Sequence, residues 1–253
     1  MDEVSCFETL RVYGGRLFKF GEHFDRLSES CRALNRALPL EAVELKHWTL
    51  EAVRESGWKD CLVRLSVHWD AASGGAVVAM VREFVRHEAA LYRAGVSLKT
   101  VPTRRSTLKA QDPQIKASQF VGGVMAVLEK GGDPAHELLL LGPSGDVAEG
   151  TVSNIFIVKQ KRILTPSVSS GILRGVTRGF VMELAKNKDL PVVETFLSRH
   201  EVYTADECFM TNTSSEVLPV VCVDRRVIGS GKPGPVTRLL AGEFKKNRGR
   251  YCQ

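Results

Sequence analysis

The stretch of this chain that decides its fold is Glu149-Gly150-Thr151-Val152-Ser153-Asn154-Ile155-Phe156, which passes from an acid through a turn into an apolar run. The run from Ile155 to Val158 predicts a buried strand. Residues 162–165 predict its hairpin partner across the polar turn of residues 159–161. The stretch therefore places a carboxylate, Glu149, directly before a buried hairpin.

The chain then reaches the start of a helix at Ile172-Leu173-Arg174-Gly175-Val176-Thr177-Arg178. Apolar residues recur at three- and four-residue spacing from Thr177 to Lys186, which predicts a helix opened by Gly175. The backbone N–H groups of Val176 and Thr177 then lie at a helix N-terminus, where unpaired donors and the positive end of the helix dipole bind anions. A carboxylate and an anion cradle thus lie close together in the sequence.

This pairing suits pyridoxal 5'-phosphate (PLP). A carboxylate facing the pyridine nitrogen keeps it protonated, a helix N-terminus holds the phosphate, and a lysine binds the aldehyde as a Schiff base. The stretch from Glu149 to Arg178 resembles the signature of the class IV aminotransferases. These are the fold type IV enzymes, which include branched-chain aminotransferases, D-amino-acid aminotransferases and aminodeoxychorismate lyase. The resemblance implies a homodimeric PLP enzyme whose small-molecule substrates are an amino acid and a 2-oxo acid.

Lys116 corresponds to the Schiff-base lysine of this family. A lone lysine before a helix is normally a surface residue. The Ile115-Lys116 pair, and its distance from Glu149 along the chain, match the family pattern. The resemblance therefore implies that Lys116 is the nucleophile and general base and that Glu149 is the partner of the pyridinium.

The segment Glu22-His23-Phe24-Asp25-Arg26-Leu27 resembles a family segment whose arginine reaches the cofactor phosphate. Helical periodicity alone places Arg26 off the apolar stripe, as a solvated surface group. A guanidinium matches phosphate oxygens well, and the resemblance assigns Arg26 to the phosphate. The further cofactor contacts that the resemblance implies are Ser153, Asn154, Leu173, Val176, Thr177, Asn212 and Thr213. Glu137 matches a family carboxylate near the lysine, while a charge at a strand edge is an equally good interpretation.

The predicted substrate residues lie on two strands. The segment from Phe7 to Arg11 resembles the first active-site strand of the family, which puts Phe7 and Thr9 on the substrate face. Arg64 lies on the second strand, which is predicted from Cys61 to Val67, and supplies a cation near the substrate face.

Two positions bear on which branch of the family the chain resembles. His68-Trp69-Asp70 stands where the D-alanine enzymes carry an arginine and a histidine, and Val121 stands where branched-chain enzymes carry a tyrosine. Three functions stay open at this stage. We favour an aminotransferase, over a lyase of the aminodeoxychorismate type and over a PLP-binding protein without turnover.

Composition excludes several other classes of protein. The chain has 253 residues, of which 43% are hydrophobic and 25% are charged, as in a globular protein. It carries no apolar run of membrane-spanning length and no signal peptide, so we expect a cytoplasmic protein that binds no membrane. The scattered cysteines predict reduced thiols and no metal site. The net charge of +6 is densest at residues 245–250, without interleaved aromatic residues, which disfavours nucleic-acid binding.

We expect an α+β fold of two lobes, each an antiparallel-rich sheet with helices packed on it, with the cofactor in the cleft between the lobes. The order of strands and helices alone does not distinguish this fold from a parallel α/β sheet, and the resemblance decides the point. The polar, turn-rich residues 102–113 predict an interdomain linker. The predicted domains are therefore a small N-terminal α+β lobe, residues 1–101, and a larger cofactor-binding lobe, residues 114–253.

Overall fold

The computed structural model describes residues 5–69, 75–85, 87–104, 112–117 and 121–253. The chain forms two compact units. The first comprises residues 1–86, 115–120 and 246–253, and the second comprises residues 87–114 and 121–245. The predicted domain boundaries and the predicted cofactor cleft stay predictions.

The first unit contains a four-stranded antiparallel sheet and two helices. Its strand order is β2-β1-β3-β4, with β1 at Ser5–Tyr13, β2 at Arg16–Leu17, β3 at Cys61–His68 and β4 at Ala76–Glu83. Strands β1 and β2 form a hairpin, in which Gly14 and Gly15 turn the chain with φ of 57° and 77°. Glycine adopts such angles without strain. The helices are α1, Phe20–Ala33, and α2, Ala42–Ser56.

The alternation along β1 sorts its side chains into two faces. Cys6, Leu10 and Val12 are fully buried and share a hydrophobic core with Leu27 and Cys31 of α1. Phe7 and Thr9 point to the opposite face and are only half-buried. The two predicted substrate residues on this strand therefore lie on the face away from the core. The predicted β3–β4 turn at residues 70–74 lies outside the described residues.

The second unit contains a larger, mixed sheet. Within its described part the strand order is β10-β9-β8-β11-β12-β5-β6-β7, and β13 pairs with β12. The elements in chain order are α3 Ala89–Ala94, β5 Val96–Arg104, α4 Val121–Lys130, β6 Glu137–Leu141, β7 Val147–Gly150, β8 Asn154–Lys159, β9 Arg162–Pro166, α5 Val176–Lys186, β10 Val192–Thr195, α6 Arg199–Tyr203, β11 Glu207–Asn212, β12 Glu216–Val223, β13 Arg226–Val227 and α7 Pro235–Asn247.

Antiparallel pairing predominates in this sheet, as predicted. β8 pairs antiparallel with β9 and with β11, whereas β5 runs parallel to both β6 and β12. The predicted strand at residues 155–158, its hairpin partner and the helix opened by Gly175 are all confirmed. Local sequence patterns do not predict α3, β5 or β7. The four residues of β7 include an acid and a glycine, which are depleted in strands and favour a turn.

Candidate active site

Glu149 lies in β7, where its side chain is nearly fully buried, with the residue 6% exposed. Its Oε2 accepts a hydrogen bond from Asn154 Nδ2 at 3.0 Å and another from the backbone N–H of Leu173 at 3.0 Å. Both donors are neutral. The first residue of β8 and the segment before α5 therefore fix the orientation of the carboxylate.

Asn154 joins these two segments. Besides donating to Glu149, its Nδ2 donates to the carbonyl of Leu173 at 2.9 Å. Gly175 packs so closely that a Cβ there would lie 2.0 Å from Asn154 Oδ1. Any residue larger than glycine at position 175 would displace Asn154, so the carboxylate, the asparagine and the start of the helix form one unit of structure.

Helix α5 begins with backbone donors that no side chain caps. Gly175 is its N-cap residue, and no side chain caps the helix. The first N–H groups of a helix have no acceptor inside it, so Val176 and Thr177 direct donors away from the helix start. This end of the helix can bind a dianionic phosphate.

Ser153, a predicted cofactor contact, lies beside the buried carboxylate of Glu137. Its Oγ donates to Glu137 Oε1 at 2.9 Å, and the same oxygen accepts from the backbone N–H of Val152 at 2.8 Å. Burial raises the pKa of Glu137, and the hydrogen bonds from Val152 and Ser153 only partly oppose it. Glu137 is buried, so the interpretation as an exposed strand-edge charge is wrong.

The turn after β11 contains the predicted second phosphate contact. Asn212 Oδ1 accepts hydrogen bonds from the backbone N–H groups of Ser214 and Ser215, at 3.0 and 2.6 Å. Thr213, which follows Asn212 in the chain, is half-buried. Thr211, which pairs with Asn154 across the sheet, has a buried Oγ1 with no hydrogen-bond partner in the described part of the chain. The sequence reading missed Thr211, although a threonine that ends a strand next to a polar turn is a usable signal.

The first unit places Lys116 against the half-buried face of β1. The carbonyl of Lys116 accepts from the backbone N–H of Phe7 at 2.9 Å, and its own N–H donates to Ser30 Oγ at 3.3 Å. Its Nζ lies 4.7 Å from the centre of the Phe7 ring. The guanidinium of Arg64 lies 3.7 Å from the centre of the same ring. Phe7, Arg64 and Lys116 are thus brought together, and Thr9 lies opposite Arg64 in the strand register.

Arg26 is not the solvated group that helical periodicity predicts. It is 9% exposed, and its Nε and one Nη donate to the two oxygens of Glu8 at 2.7 and 2.6 Å. His23 Nδ1 lies 2.7 Å from Glu8 Oε2. Burial alone raises the pKa of Glu8, but the charge of Arg26 and the hydrogen bonds from His23 and Arg26 outweigh it and hold that pKa well below its ordinary value.

His23 is neutral in this network. Burial lowers its pKa and outweighs the opposing effect of Glu8, and the nearby charges of Arg26 and Lys116 lower it further. Because the ionised Glu8 only accepts hydrogen bonds, Nδ1 of the neutral ring carries the proton. The influence of Lys116 on His23 also places the lysine near this network.

The residues present fit pyridoxal phosphate in three respects. The second unit offers a buried carboxylate with neutral donors and an uncapped helix start, joined through Asn154. It also offers an unpartnered buried hydroxyl on Thr211. The first unit offers a lysine amine against an aromatic ring.

Two classes of site have no support in the described ranges. Those residues contain no group of three or more His, Cys, Asp or Glu side chains that could hold a metal ion. None of the helices in the same ranges has the length and hydropathy of a bilayer-spanning segment.

Comparison with known proteins identifies the family. Residues 5–223 match the model of amino-transferase class IV, and the chain belongs to this family. It is 34% identical over 253 residues to a putative branched-chain-amino-acid aminotransferase of Methanocaldococcus jannaschii, covering 97% of this chain and 87% of the relative. It is 32% identical over 240 residues to the D-alanine aminotransferase of Bacillus licheniformis, covering 92% and 83%.

A solved structure agrees with the fold. A branched-chain amino acid aminotransferase from T.th., solved with pyridoxamine 5'-phosphate, superposes with a TM-score of 0.92 at 30% identity, covering 98% of this chain and 86% of that one. The expected fold type IV architecture is therefore confirmed. The chain is a PLP-dependent aminotransferase, which moves an amino group between an amino acid and a 2-oxo acid.

Proposed function

We propose that this enzyme exchanges amino groups between amino acids with apolar side chains and 2-oxo acids, with Lys116 and Glu149 as its catalytic residues. The observation that carries the assignment is the buried carboxylate of Glu149, which Asn154 and the Leu173 N–H hold at the start of an uncapped helix. The names of the relatives, which include branched-chain and D-alanine aminotransferases, support apolar side chains.

The residues that would hold the cofactor fall into groups according to the part of the cofactor that each would contact. The N–H groups of Val176 and Thr177, with Asn212, Thr213 and Arg26, would bind the phosphate, since these positions supply donors or positive charge. Leu173 would pack against the ring. Asn154 and Ser153 would act through the carboxylates of Glu149 and Glu137, to which they donate hydrogen bonds.

Each catalytic residue then has a defined task. When bound, pyridoxal phosphate supplies an electron sink for the electron pair left when the substrate Cα loses its proton. The carboxylate of Glu149 would face the pyridine nitrogen and favour its protonated form. Lys116 would hold the cofactor through its Nζ. Once a substrate amine has replaced it there, the freed Nζ would accept the proton from the substrate Cα and donate it to the cofactor carbon that carries the substrate nitrogen. General acid–base help of this kind is worth roughly 10²- to 10⁴-fold in rate.

The substrate face of β1 would select the substrate. The Phe7 ring offers an apolar surface, and Arg64 offers a cation that can bind a carboxylate. Burial lowers the pKa of Arg64, with a smaller contribution from Arg82. A partly desolvated arginine binds an anion more strongly than a solvated one. Thr9 adds a hydroxyl on the same face.

Two further features belong to the proposal. We place the enzyme in the cytoplasm, and we propose a homodimer, as the family resemblance implies. Size-exclusion chromatography with light scattering distinguishes a dimer from a monomer of 27.9 kDa.

The decisive experiment replaces Lys116 by alanine. Borohydride reduction of the parent enzyme should fix the cofactor covalently to residue 116, as read by mass spectrometry, and Lys116→Ala should lose both the adduct and turnover. Lys246→Ala removes an exposed lysine of the same unit and is the matched control. A Lys116→Ala variant with the parent's rate would refute the assignment.

The same protein can be used to define the substrate. We expect amino transfer to 2-oxoglutarate from branched-chain amino acids, at a higher rate than from D-alanine. Release of pyruvate from aminodeoxychorismate without amino transfer would establish the lyase function instead.

A further inference from the structure

A group of buried oxygen atoms lies on the second unit, in the loop that joins β6 to β7. Both carboxylate oxygens of Asp146 are inaccessible to solvent and have no hydrogen-bond partner in the described part of the chain. The same holds for Oγ of Ser170, a fully buried residue that ends a short 3-10 turn, Val168–Ser170. Neither residue contributes to the aminotransferase site proposed above.

Gly142 shows that the carboxylate of Asp146 lies close to the backbone carbonyl of Ser170. A Cβ built on Gly142 would lie 2.7 Å from Asp146 Oδ1 and 2.8 Å from the carbonyl oxygen of Ser170. The two oxygens therefore approach one point from two segments of the chain. The hydrogen bond from Gly142 N–H to the carbonyl of Asp146, at 2.7 Å, fixes the loop in this arrangement.

This arrangement is unfavourable for a bare carboxylate. An ionised group that is removed from water without a partner costs several kcal/mol. Hydrogen-bond donors do not compensate for it here, since Asp146 has none among the described residues. A bound cation would supply the compensating charge.

We propose that Asp146 and Ser170 bind a monovalent metal cation, Na⁺ or K⁺. The donors are all oxygens, which hard cations prefer. One carboxylate balances one positive charge, so a monovalent ion leaves the buried group neutral, whereas a divalent ion would leave a net charge in the interior. The cation ties the β6–β7 loop to the 3-10 turn and stabilises the strand that carries Glu149.

The test measures thermal unfolding of the holoenzyme in choline chloride, with NaCl or KCl replacing it at constant ionic strength. Because an ion that binds the folded state stabilises it, the unfolding midpoint of the parent should rise and saturate, by roughly 2 to 6 °C. The relative responses to Na⁺ and K⁺ identify the ion. A response to MgCl₂ or CaCl₂ alone would overturn the monovalent assignment.

Variants locate the effect. Asp146→Asn keeps the shape but removes the charge, so it should be at least as stable as the parent in choline chloride and should show no saturable response. Ser170→Ala removes one ligand and should need about tenfold more salt, the equivalent of about 1.4 kcal/mol. Asp189→Asn alters an exposed carboxylate and should respond like the parent.

Two outcomes would overturn the proposal. The first is an identical midpoint of the parent in choline, sodium and potassium chloride. The second is an undiminished response in Asp146→Asn. Should Asp146→Asn fail to fold, an unchanged salt requirement in Ser170→Ala would count equally against it.

Discussion

Glu8 in the first unit and Glu137 in the second are both buried glutamates, yet their pKa values shift in opposite directions. Glu8 is bound by the guanidinium of Arg26 and by His23, whereas the hydrogen bonds that Glu137 accepts come from the neutral groups of Val152, Ser153 and Thr151. Burial raises the pKa in both cases. At Glu8 the positive charge outweighs the burial, and at Glu137 the neutral donors do not.

The difference shows how each region uses its acid. The Glu8 network holds Arg26, a residue proposed to bind the phosphate, in a fixed position by strong charge-assisted bonds. Glu137 instead fixes the turn between β7 and β8, on which Glu149 and Asn154 depend. One acid thus orients a cation, and the other orients backbone and hydroxyl groups.

The largest change in stability that follows from this comparison is expected when the charge of Glu8 is removed. Glu8→Gln leaves Arg26 buried without its anionic partner, and breaking a buried ion pair in this way costs about 3–5 kcal/mol of stability. Chemical denaturation at neutral pH measures the change in the free energy of unfolding.

The matched control for Glu8→Gln is Glu51→Gln. Glu51 pairs with His47 at 3.3 Å on the surface of α2, where both side chains are at least half exposed. Removal of such a pair changes stability by less than about 1 kcal/mol. Equal effects of the two substitutions would show that the buried network does not stabilise the first unit.

A smaller effect is expected at a neutral donor of the second unit. Asn154→Ala removes one hydrogen bond from Glu149 and leaves the carbonyl of Leu173 without that donor. A buried group that loses its hydrogen-bond partner lowers the free energy of unfolding by about 1–3 kcal/mol, which chemical denaturation can measure. Because Glu149 would also lose its orientation, kcat should fall more than KM changes.

Asn187→Ala is the control for this substitution, since Asn187 is exposed just after α5. It should leave both the stability and kcat near the parent values. A parent-like kcat in Asn154→Ala would mean that Asn154 does not position Glu149 for the reaction.

The comparison also shows what the sequence could reveal. The strand–turn–helix stretch from Glu149 to Thr177 was predictable because its turn, its apolar strand and its helical spacing are all local patterns. Arg26 was predicted from periodicity as an exposed residue, and the structure buries it. The cause is Glu8, which lies on the core face of β1 between Cys6 and Leu10.

An acid on the apolar face of a strand is itself a signal that a buried cation is nearby, and the alternation of β1 contains it. The partner could not be identified in the same way, because Arg26 and Glu8 meet only when α1 packs on β1. The parallel strand β5 was missed for a related reason. Its pairing partners, β6 and β12, are remote in sequence, so pairing rather than propensity decides its structure.

The smallest effect concerns Glu137. Glu137→Gln keeps an oxygen that can accept from Val152 and Ser153, so the cost should be about 1 kcal/mol or less. Its value as a test lies in the pH dependence. A carboxyl whose pKa is raised on folding binds more protons in the folded state than in the unfolded state. The parent therefore loses stability as the pH rises from 4.5, the ordinary pKa of the carboxyl, toward its raised pKa in the folded state.

Glu137→Gln cannot show that loss, so its stability relative to the parent should improve as pH rises. Glu8→Gln should show the reverse, because the lowered pKa of Glu8 stabilises the parent above 4.5 and this stability is lost in acid. Denaturation curves of the parent and both variants between about pH 2 and pH 7 measure the two trends. The comparison fails if both differences change in the same direction with pH, because the type of donor would then not determine how each buried acid is stabilised.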